Sequence, residues 1–455
     1  MSTIATLYSL LLSTALLLIG HGMQLTLLPL RAASLGHSEL QIAFGGSAYF
    51  AGFVLGCLVV PRAIARVGHI RSFAVLASAM GSVLLFIGLN DNWLVWAGLR
   101  ALVGVSICGL YTVIESWLND QATPENRGQI LSVYTAIVLT GMAGGQLLVN
   151  LAPVTEAVPF MLLAAVIALS VIPVGLTRSL APAPIESTRS RIRLLFRRAP
   201  IAAIAAIAAG AITGSFWSLG AVFARQSFDS LEQVTLFMIA TILGGALFQY
   251  LFGWLSDRVG RNTVLLLLGV LGTVSSLAVV RADSAQRLLA AAFAFGACVM
   301  PMYSMALAAA ADNSLRHEFV EVGTSVLLLN ALGAVLAPLA VGQLIARFGP
   351  SGLFLGCAAC SALAALCFAI LFRRKPLVDD VEPFSVAATD RAPTSFDLDP
   401  RAPEEGGDLA GVPEAPSLID EAEAGATISE PEPVSEEPGA APANKEEKAP
   451  DPTRP

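Results

Sequence analysis

Apolar residues in this chain are gathered into twelve long blocks, which are separated by short polar stretches. A helix needs about 20 mostly apolar residues to cross the hydrocarbon core of a bilayer. The alternating ten-residue segments typical of membrane β-strands are not seen in the sequence. The pattern predicts an all-α polytopic membrane protein with twelve transmembrane helices, at residues 6–29, 40–60, 72–89, 93–118, 129–151, 159–176, 200–224, 233–254, 263–280, 286–310, 320–345 and 352–372.

The composition agrees with a membrane protein. Of the 455 residues, 55% are hydrophobic and 13% are charged, whereas a soluble domain has about 25% charged residues. The first block lacks a preceding basic segment and a small-residue cleavage site, so we predict a retained span rather than a signal peptide. All six cysteines fall within apolar blocks, where we expect them to pack as small side chains without disulfides.

The connections between blocks are short except for residues 177–199, which are rich in proline and arginine. We predict that this segment is a cytoplasmic linker between two six-helix bundles, residues 1–176 and 200–375. Residues 376–455 hold 20 acidic and 5 basic residues, a net charge of −15 in a chain whose total is −7. This acidic, proline-rich tail is predicted to be disordered because it has little apolar surface to bury. It either binds a regulatory partner or has no specific role.

The distribution of lysine and arginine predicts the orientation in the membrane. Sixteen of these residues fall in connections on one side of the predicted membrane and five on the other, and Arg100 lies within a span. Basic loops are retained in the cytoplasm. Both termini are therefore predicted to be cytoplasmic, with the protein in an inner or plasma membrane.

The two predicted bundles align without gaps at an offset of 192 residues. The matches include glycines within the spans and polar residues at loop edges. Such repeats occur in transporters that hold a solute between two rocking halves. The matched pairs are Gly22 and Gly214, Gly52 and Gly244, Arg66 and Arg258, Gly68 and Gly260, Gly104 and Gly296, Tyr111 and Tyr303, Asp120 and Asp312, and Gly141 and Gly333.

The sharpest motif is the loop between spans eight and nine, which begins at Gly253 and reads GWLSDRVGR. We expect Asp257 to accept hydrogen bonds from a neighbouring helix N-terminus, where the helix dipole favours an anion. Arg258 and Arg261 are expected to pair with a carboxylate of an adjacent span, with Asp312 and Glu318 as candidates. Gly260 permits the tight reversal. The loop is either a latch between the rocking halves or a polar turn that obeys the charge rule.

The corresponding loop of the first half, residues 61–71, matches this motif only in part. It keeps Arg66, Gly68 and Arg71, but Ala65 stands where the second loop has its aspartate. Asp120 corresponds to the candidate partner Asp312. A symmetric pair of latches is therefore not predicted.

These features resemble the major facilitator superfamily over residues 1–375. The loop motif resembles residues 253–261 in full and residues 61–71 in part, and Arg100 with Gly104 resembles the fourth-span pattern of the family. The fifth-span antiporter pattern is met only by Gly141, Gly144 and Gly145, without its proline, so drug–proton antiport is not supported. The segments YTVIESWLN from Tyr111, NRG from Asn126 and GQLL from Gly145 resemble the YcaD-like group. The resemblance implies twelve spans in two halves and names no substrate.

Arg100 is the strongest candidate site residue, because a charge in mid-bilayer is costly and usually faces a polar interior. On a helix, Tyr111 and Glu115 fall within about 60° of Arg100, so span four has one polar stripe. The stripe would line a cavity in which Arg100 positions an anionic group or a proton carrier. Alternatively, Arg100 extends outward to the membrane surface and Glu115 caps the inner end of the helix.

Further candidates lie on spans one, seven and ten, which line the cavity in the family that this chain resembles. His21 and Gln24 fall within span one, and an imidazole there could bind substrate or carry a proton. Trp217 of span seven and Tyr303 of span ten could line an amphipathic pocket. For each of these residues the alternative is helix packing.

No nucleotide-binding loop, zinc spacing or hydrolase motif is found in the sequence. We therefore predict a monomeric secondary transporter, not an enzyme, with no cofactor, no metal and no nucleic-acid partner. It would move a small solute across the lipid bilayer by alternating access, coupled to protons. The alternative is a membrane sensor or scaffold that signals through its acidic tail.

Overall fold

The computed structural model describes residues 2–122, 126–177, 191–315 and 318–372. Within these ranges the regular elements are helices and no strand occurs. Twelve helices are long and apolar enough to cross a membrane, so the predicted all-α fold of twelve spans is confirmed. The acidic tail, with its predicted disorder and partner-binding role, lies outside the described residues.

The helices are named α1 to α14 in chain order. The first half contains six spans, α1 to α6, and the second half contains α8 to α14, in which α11 and α12 together form span ten. Their bounds are α1 Ser2–Ser34, α2 Glu39–Val67, α3 His69–Gly88, α4 Trp93–Gln121, α5 Arg127–Leu148, α6 Val158–Gly175, α7 Ile192–Arg198, α8 Pro200–Ser227, α9 Leu231–Val259, α10 Arg261–Arg281, α11 Ala285–Val299, α12 Pro301–Ala311, α13 Phe319–Phe348 and α14 Gly352–Leu371.

The two ends of the bundle differ in how their helices are connected. The linker end carries the α2–α3, α4–α5, α9–α10 and α12–α13 connections and helix α7. The far end carries the α1–α2, α3–α4, α5–α6, α8–α9, α10–α11 and α13–α14 connections. At the far end, side-chain oxygens cap the N-termini of α2, α4, α9 and α11. The capping residues are Ser38, Asn92, Ser230 and Ser284. Such caps satisfy backbone N–H groups that have no partner within the helix. Several helices extend beyond the predicted apolar spans, for example α2, which ends at Val67 and not at residue 60. The backbone hydrogen bonds of a helix are formed within the helix itself, so a helix can continue outside the lipid.

Close helix packing repeats in the two halves at the predicted offset. A β-carbon added at Gly104 would lie 2.0 Å from a backbone oxygen of α2, and one added at Gly52 would lie 1.9 Å from a backbone oxygen of α4. The corresponding glycines, Gly244 and Gly296, each come equally close, at 2.0 Å, on α9 and α11. Only glycine permits backbones to approach this closely. The offset of 192 residues therefore reflects a shared packing geometry.

Span ten is a single apolar block in the sequence but two helices in the structure. Helix α11 ends at Val299 and α12 begins at Pro301. Proline lacks an N–H donor and its ring crowds the preceding turn, which breaks or kinks a helix. The break lies two residues before Tyr303, one of the candidate path residues.

The two halves contact each other closely at the far end. A β-carbon added at Gly46 of α2 would lie 2.0 Å from the Oγ atom of Ser218 on α8. The Asn150 amide donates to the Thr235 hydroxyl at 2.9 Å, which joins the end of the first half's fifth span to α9. Helix α2 also packs along α13. These contacts close the far end of the bundle in this structure.

Helix α7 lies within residues 177–199, for which the sequence predicts a linker and no helix. Its residue Leu195 is buried. The Arg191 guanidinium lies 2.6 Å from the Glu321 carboxylate and 3.7 Å from that of Glu318, and Arg198 also pairs with Glu318. The described end of the linker is therefore attached to the start of α13, in the second half.

Candidate transport path

Arg100 lies inside the protein and does not extend outward to the membrane surface. Its side chain is on α4 and is 5% exposed. The guanidinium carbon lies 4.9 Å from the centroid of the Tyr49 ring, close enough for a cation–π interaction. Its Nη1 atom is buried without a hydrogen-bond partner among the described residues. The guanidinium is thus only partly satisfied by the protein.

Glu115 also lies in the interior and does not cap the end of α4. It is 1% exposed, and its Oε1 atom accepts a hydrogen bond from the Tyr134 hydroxyl of α5 at 3.0 Å. Tyr134 was not singled out in the sequence, where it is one aromatic residue within an apolar block. The tyrosine hydroxyl can donate a hydrogen bond to a carboxylate or accept one from a protonated carboxyl group. The Tyr134 hydroxyl can therefore stay hydrogen-bonded to either protonation state of Glu115.

His21, Gln24 and Tyr111 form a second buried group between α1 and α4. The Gln24 amide nitrogen lies 2.8 Å from His21 Nδ1. The His21 and Tyr111 rings meet edge-on, with centroids 6.1 Å apart. The structure therefore brings Tyr111 of the predicted span-four stripe into contact with the span-one candidates His21 and Gln24.

Gln146 of α5 extends this polar group and was missed as a site residue. Its amide nitrogen donates to the Gly22 carbonyl at 2.9 Å, and its amide oxygen accepts from the Thr26 hydroxyl. Gln146 belongs to the GQLL segment that marks the family resemblance, which was the available signal. Its two hydrogen bonds tie α5 to the middle of α1, beside His21.

Trp217 and Tyr303 are both buried, on α8 and α12. Trp217 is 4% exposed and Tyr303 is 1% exposed, and these two helices pack against each other. The Trp217 ring contacts Phe216 at a centroid distance of 5.2 Å. Burial and ring packing are equally compatible with a path lining and with a structural role, so the path role of these two residues stays a prediction.

The linker-end loop of the second half is organised around Arg261. Its guanidinium lies 2.6 Å from the Asp257 carboxylate and 3.3 Å from that of Asp312, and it also donates to the Ser256 hydroxyl. Gly260 reverses the chain between α9 and α10 with φ +88°. We call Asp257, Arg261 and Asp312 the second-half clamp. All three residues belong to the second half, so in this structure the clamp fixes one half internally.

Three partner assignments made from the sequence were wrong. Asp257 pairs with Arg261, one turn along the chain, rather than with a neighbouring helix N-terminus. Arg258 lies over the Trp254 ring, 3.8 Å from its centroid, and none of the ion pairs in the described part of the chain includes it. Glu318 binds the linker arginines instead of this loop. Local contacts are available without any rearrangement of neighbouring helices, which favours them. Gly253 lies within α9 beside open space.

The loop of the first half has the same turn and different chemistry. Gly68 has φ +86°, and Arg66 and Arg71 are exposed. His69 follows the glycine, as Arg261 does in the second half, and its Nε2 atom lies 2.8 Å from the Ser116 hydroxyl. Asp120, which corresponds to Asp312, is exposed. Sequence reasoning missed His69, although the offset of 192 residues aligns it with Arg261.

Comparisons with known proteins agree with this architecture. A family model described as Major Facilitator Superfamily matches residues 10–229 and 202–398. Proteins described as an uncharacterized MFS-type transporter YcaD, from Escherichia coli O139:H28 (strain E24377A / ETEC) and Shigella sonnei (strain Ss046), are 28% identical over 373 residues. The matches cover 80% of this chain and 96% of each relative.

Solved structures share the fold at low sequence identity. The nucleoside transporter NupG aligns with a TM-score of 0.70 at 14% identity, over 81% of this chain and 100% of its own. A bacterial homolog of the human lysosomal transporter Spinster aligns with a TM-score of 0.64 at 16% identity, over 81% and 96%. This chain belongs to the major facilitator superfamily, in its YcaD-like group, and is an integral membrane protein with the fold of a secondary transporter.

Proposed function

We propose that this protein moves a small solute across the membrane by alternating access, coupled to protons, with the linker end and both termini in the cytoplasm. The observation that carries the proposal is the closure of the far end across Gly46 and Ser218, with buried polar groups behind it. The ion pairs of the described residues at the linker end either lie within the second half or join the end of the linker to α13, and none of them joins the first half to the second. Rocking of the halves would thus open the far end without breaking those pairs.

The proton coupling is assigned to Glu115, with Tyr134 as its positioning residue. A carboxylate in a low-dielectric interior favours its neutral form unless hydrogen bonds or cations stabilise the charge. Opening and closing of the path would change the access of water to Glu115 and hence its protonation. His21, which contacts Gln24 and Tyr111 on the same side of the bundle, is the second titratable group of the path.

Alternating access is tested by obstructing the far-end closure. Gly46→Leu places a side chain where Ser218 lies, and Ala51→Leu, at an exposed position of the same helix, serves as the control. A single cysteine replaces buried Ala43 of α2 in a variant without other cysteines. We expect impermeant maleimide added from outside to label it faster in the Gly46→Leu protein. Equal labelling of the two proteins would contradict the proposal.

Proton coupling is tested in proteoliposomes with a solute identified by a thermal-shift screen, in which a ligand stabilises the state that it binds. Glu115→Gln should keep the exchange of labelled for unlabelled solute and lose accumulation driven by a pH gradient. Glu156→Gln, in the exposed α5–α6 connection, should keep both activities. Gradient-driven accumulation by the Glu115→Gln protein would refute the coupling role.

A further inference from the structure

A cavity lies at the far end of the bundle between α1, α2, α4 and α8. Its polar and aromatic walls come from both halves, and Leu28, Pro29, Ala32 and Ile42 complete it with apolar surface. None of the path residues other than Arg100 lines it. The polar and aromatic lining residues are His37, Gln41, Trp93, Trp96, Arg100 and Ser218.

Arg100 brings a positive charge to this cavity that the protein does not neutralise. An arginine side chain stays protonated in proteins, and a buried charge is normally paired with an opposite one. Among the ion pairs of the described residues, none includes Arg100. The Tyr49 ring covers one face of the guanidinium, and Nη1 remains without an acceptor. An anionic oxygen in the cavity would supply both the charge and the acceptor that are missing.

The other polar walls are already held in place by the protein. Trp96 donates through its indole N–H to the Asn90 carbonyl at 2.5 Å, and His37 lies 2.9 Å from the Asp91 carbonyl through Nε2. The His37 and Trp96 rings meet edge-on at 5.7 Å. The side chain of Gln41 accepts from the Ser38 backbone in the cap of α2. These contacts fix the positions of the aromatic walls. Among the lining residues of the cavity, Arg100 is the one with a permanent charge.

We propose that Arg100 binds the anionic group of a small organic anion, a carboxylate or phosphate attached to an apolar ring, when the far end opens. The cavity measures about 20 Å³ in this structure, so the oxyanion would reach Arg100 and the ring would lie against Trp93 and Trp96 only after the two halves move apart. This inference rests on the transport function proposed above and names its substrate class. Aromatic walls provide large contact area, and arginine forks match oxyanions in geometry and charge. Neutral and cationic solutes would leave the guanidinium buried and unpaired, which disfavours them.

The test compares a carboxylate with its neutral isostere on the full-length protein in detergent. We expect benzoate at millimolar concentration to raise the thermal unfolding midpoint, with a matching change in tryptophan fluorescence, and benzamide to have no effect. Arg100→Gln should weaken benzoate binding at least tenfold, whereas Arg31→Gln, at the far end of α1, should not. A benzamide response equal to that of benzoate, or unchanged binding by the Arg100→Gln protein, would overturn the proposal.

Further experiments distinguish a soluble anion from a lipid headgroup at the site, and they distinguish failure of the binding site from failure of the transport function. Phenyl phosphate should compete with benzoate, whereas phosphatidylglycerol in the detergent micelles should not; competition by the lipid alone would assign the site to a headgroup and refute the solute. Arg100→Lys keeps the charge and should retain part of the binding, a result that a purely structural arginine would not give. Binding of benzoate without its exchange in proteoliposomes would sink the transport function and leave the site standing. Exchange of neutral solutes by a protein that does not bind benzoate would refute the anion site and leave the transport function standing.

Discussion

The two linker-end loops have the same backbone and different chemistry. Both reverse the chain through a glycine with positive φ, Gly68 at +86° and Gly260 at +88°, and both start a helix with the next residue. In the second half that residue is Arg261, which lies between two carboxylates. In the first half it is His69, which is hydrogen-bonded to a neutral serine hydroxyl.

The internal repeat therefore preserves the glycine turn more strictly than the charged residues around it. Asp257 of the second-half clamp corresponds to Ala65, so the first half has lost one of the two carboxylates. Asp120, which corresponds to Asp312, is exposed. We infer that the second half is held firmly at its linker end, while the first half relies on a neutral hydrogen bond and on packing.

The largest expected effect comes from removing the cation of the clamp. Arg261→Ala leaves the Asp257 and Asp312 carboxylates facing each other and should destabilise the protein by about 3 kcal/mol, at the lower end for a broken buried pair because water reaches both acids. His69→Ala should cost about 1 kcal/mol, the value of one neutral hydrogen bond. Thermal unfolding midpoints in detergent measure both. Equal losses would mean that the two loops are not different in strength.

The next effect should be the same in both halves. Gly260→Ala and Gly68→Ala force a β-carbon into a backbone region that is almost restricted to glycine, which costs roughly 2 kcal/mol at each position. Gly253→Ala, within α9 and beside open space, is the control and should not lower stability. If only Gly260→Ala lowered the stability, the two halves would not share the same dependence on a glycine turn.

The smallest expected effect is the difference in stability between variants of the two corresponding aspartates, Asp312 and Asp120. Asp312→Asn removes one of the two charges that contact Arg261 and should lower stability by about 1 kcal/mol. Asp120→Asn changes an exposed residue and should stay within about 0.5 kcal/mol of the parent. The difference between the two variants should shrink in high salt, which screens exposed charges. A larger loss for Asp120→Asn would reveal a charged His69 pair in the first half.

The twelve spans, their division into two sets of six, the family and the loop with its turn glycine were all predictable from the sequence. Hydropathy and turn chemistry are properties of neighbouring residues, so they can be read along the chain. Asp312 and Glu318 were both predicted as candidate partners of Arg258 and Arg261, and the structure pairs Asp312 with Arg261.

The contacts between side chains that are far apart in the sequence could be seen in the folded structure alone. Tyr134 holds Glu115 from another helix, Gln146 reaches the backbone of α1, and helix α7 binds the start of α13. The far-end closure across Gly46 and Ser218, and the cavity beside Arg100, depend on how the two halves pack. Helix rotation and tilt set these contacts, and in lipid they follow from close packing and buried polar groups that hydropathy does not encode.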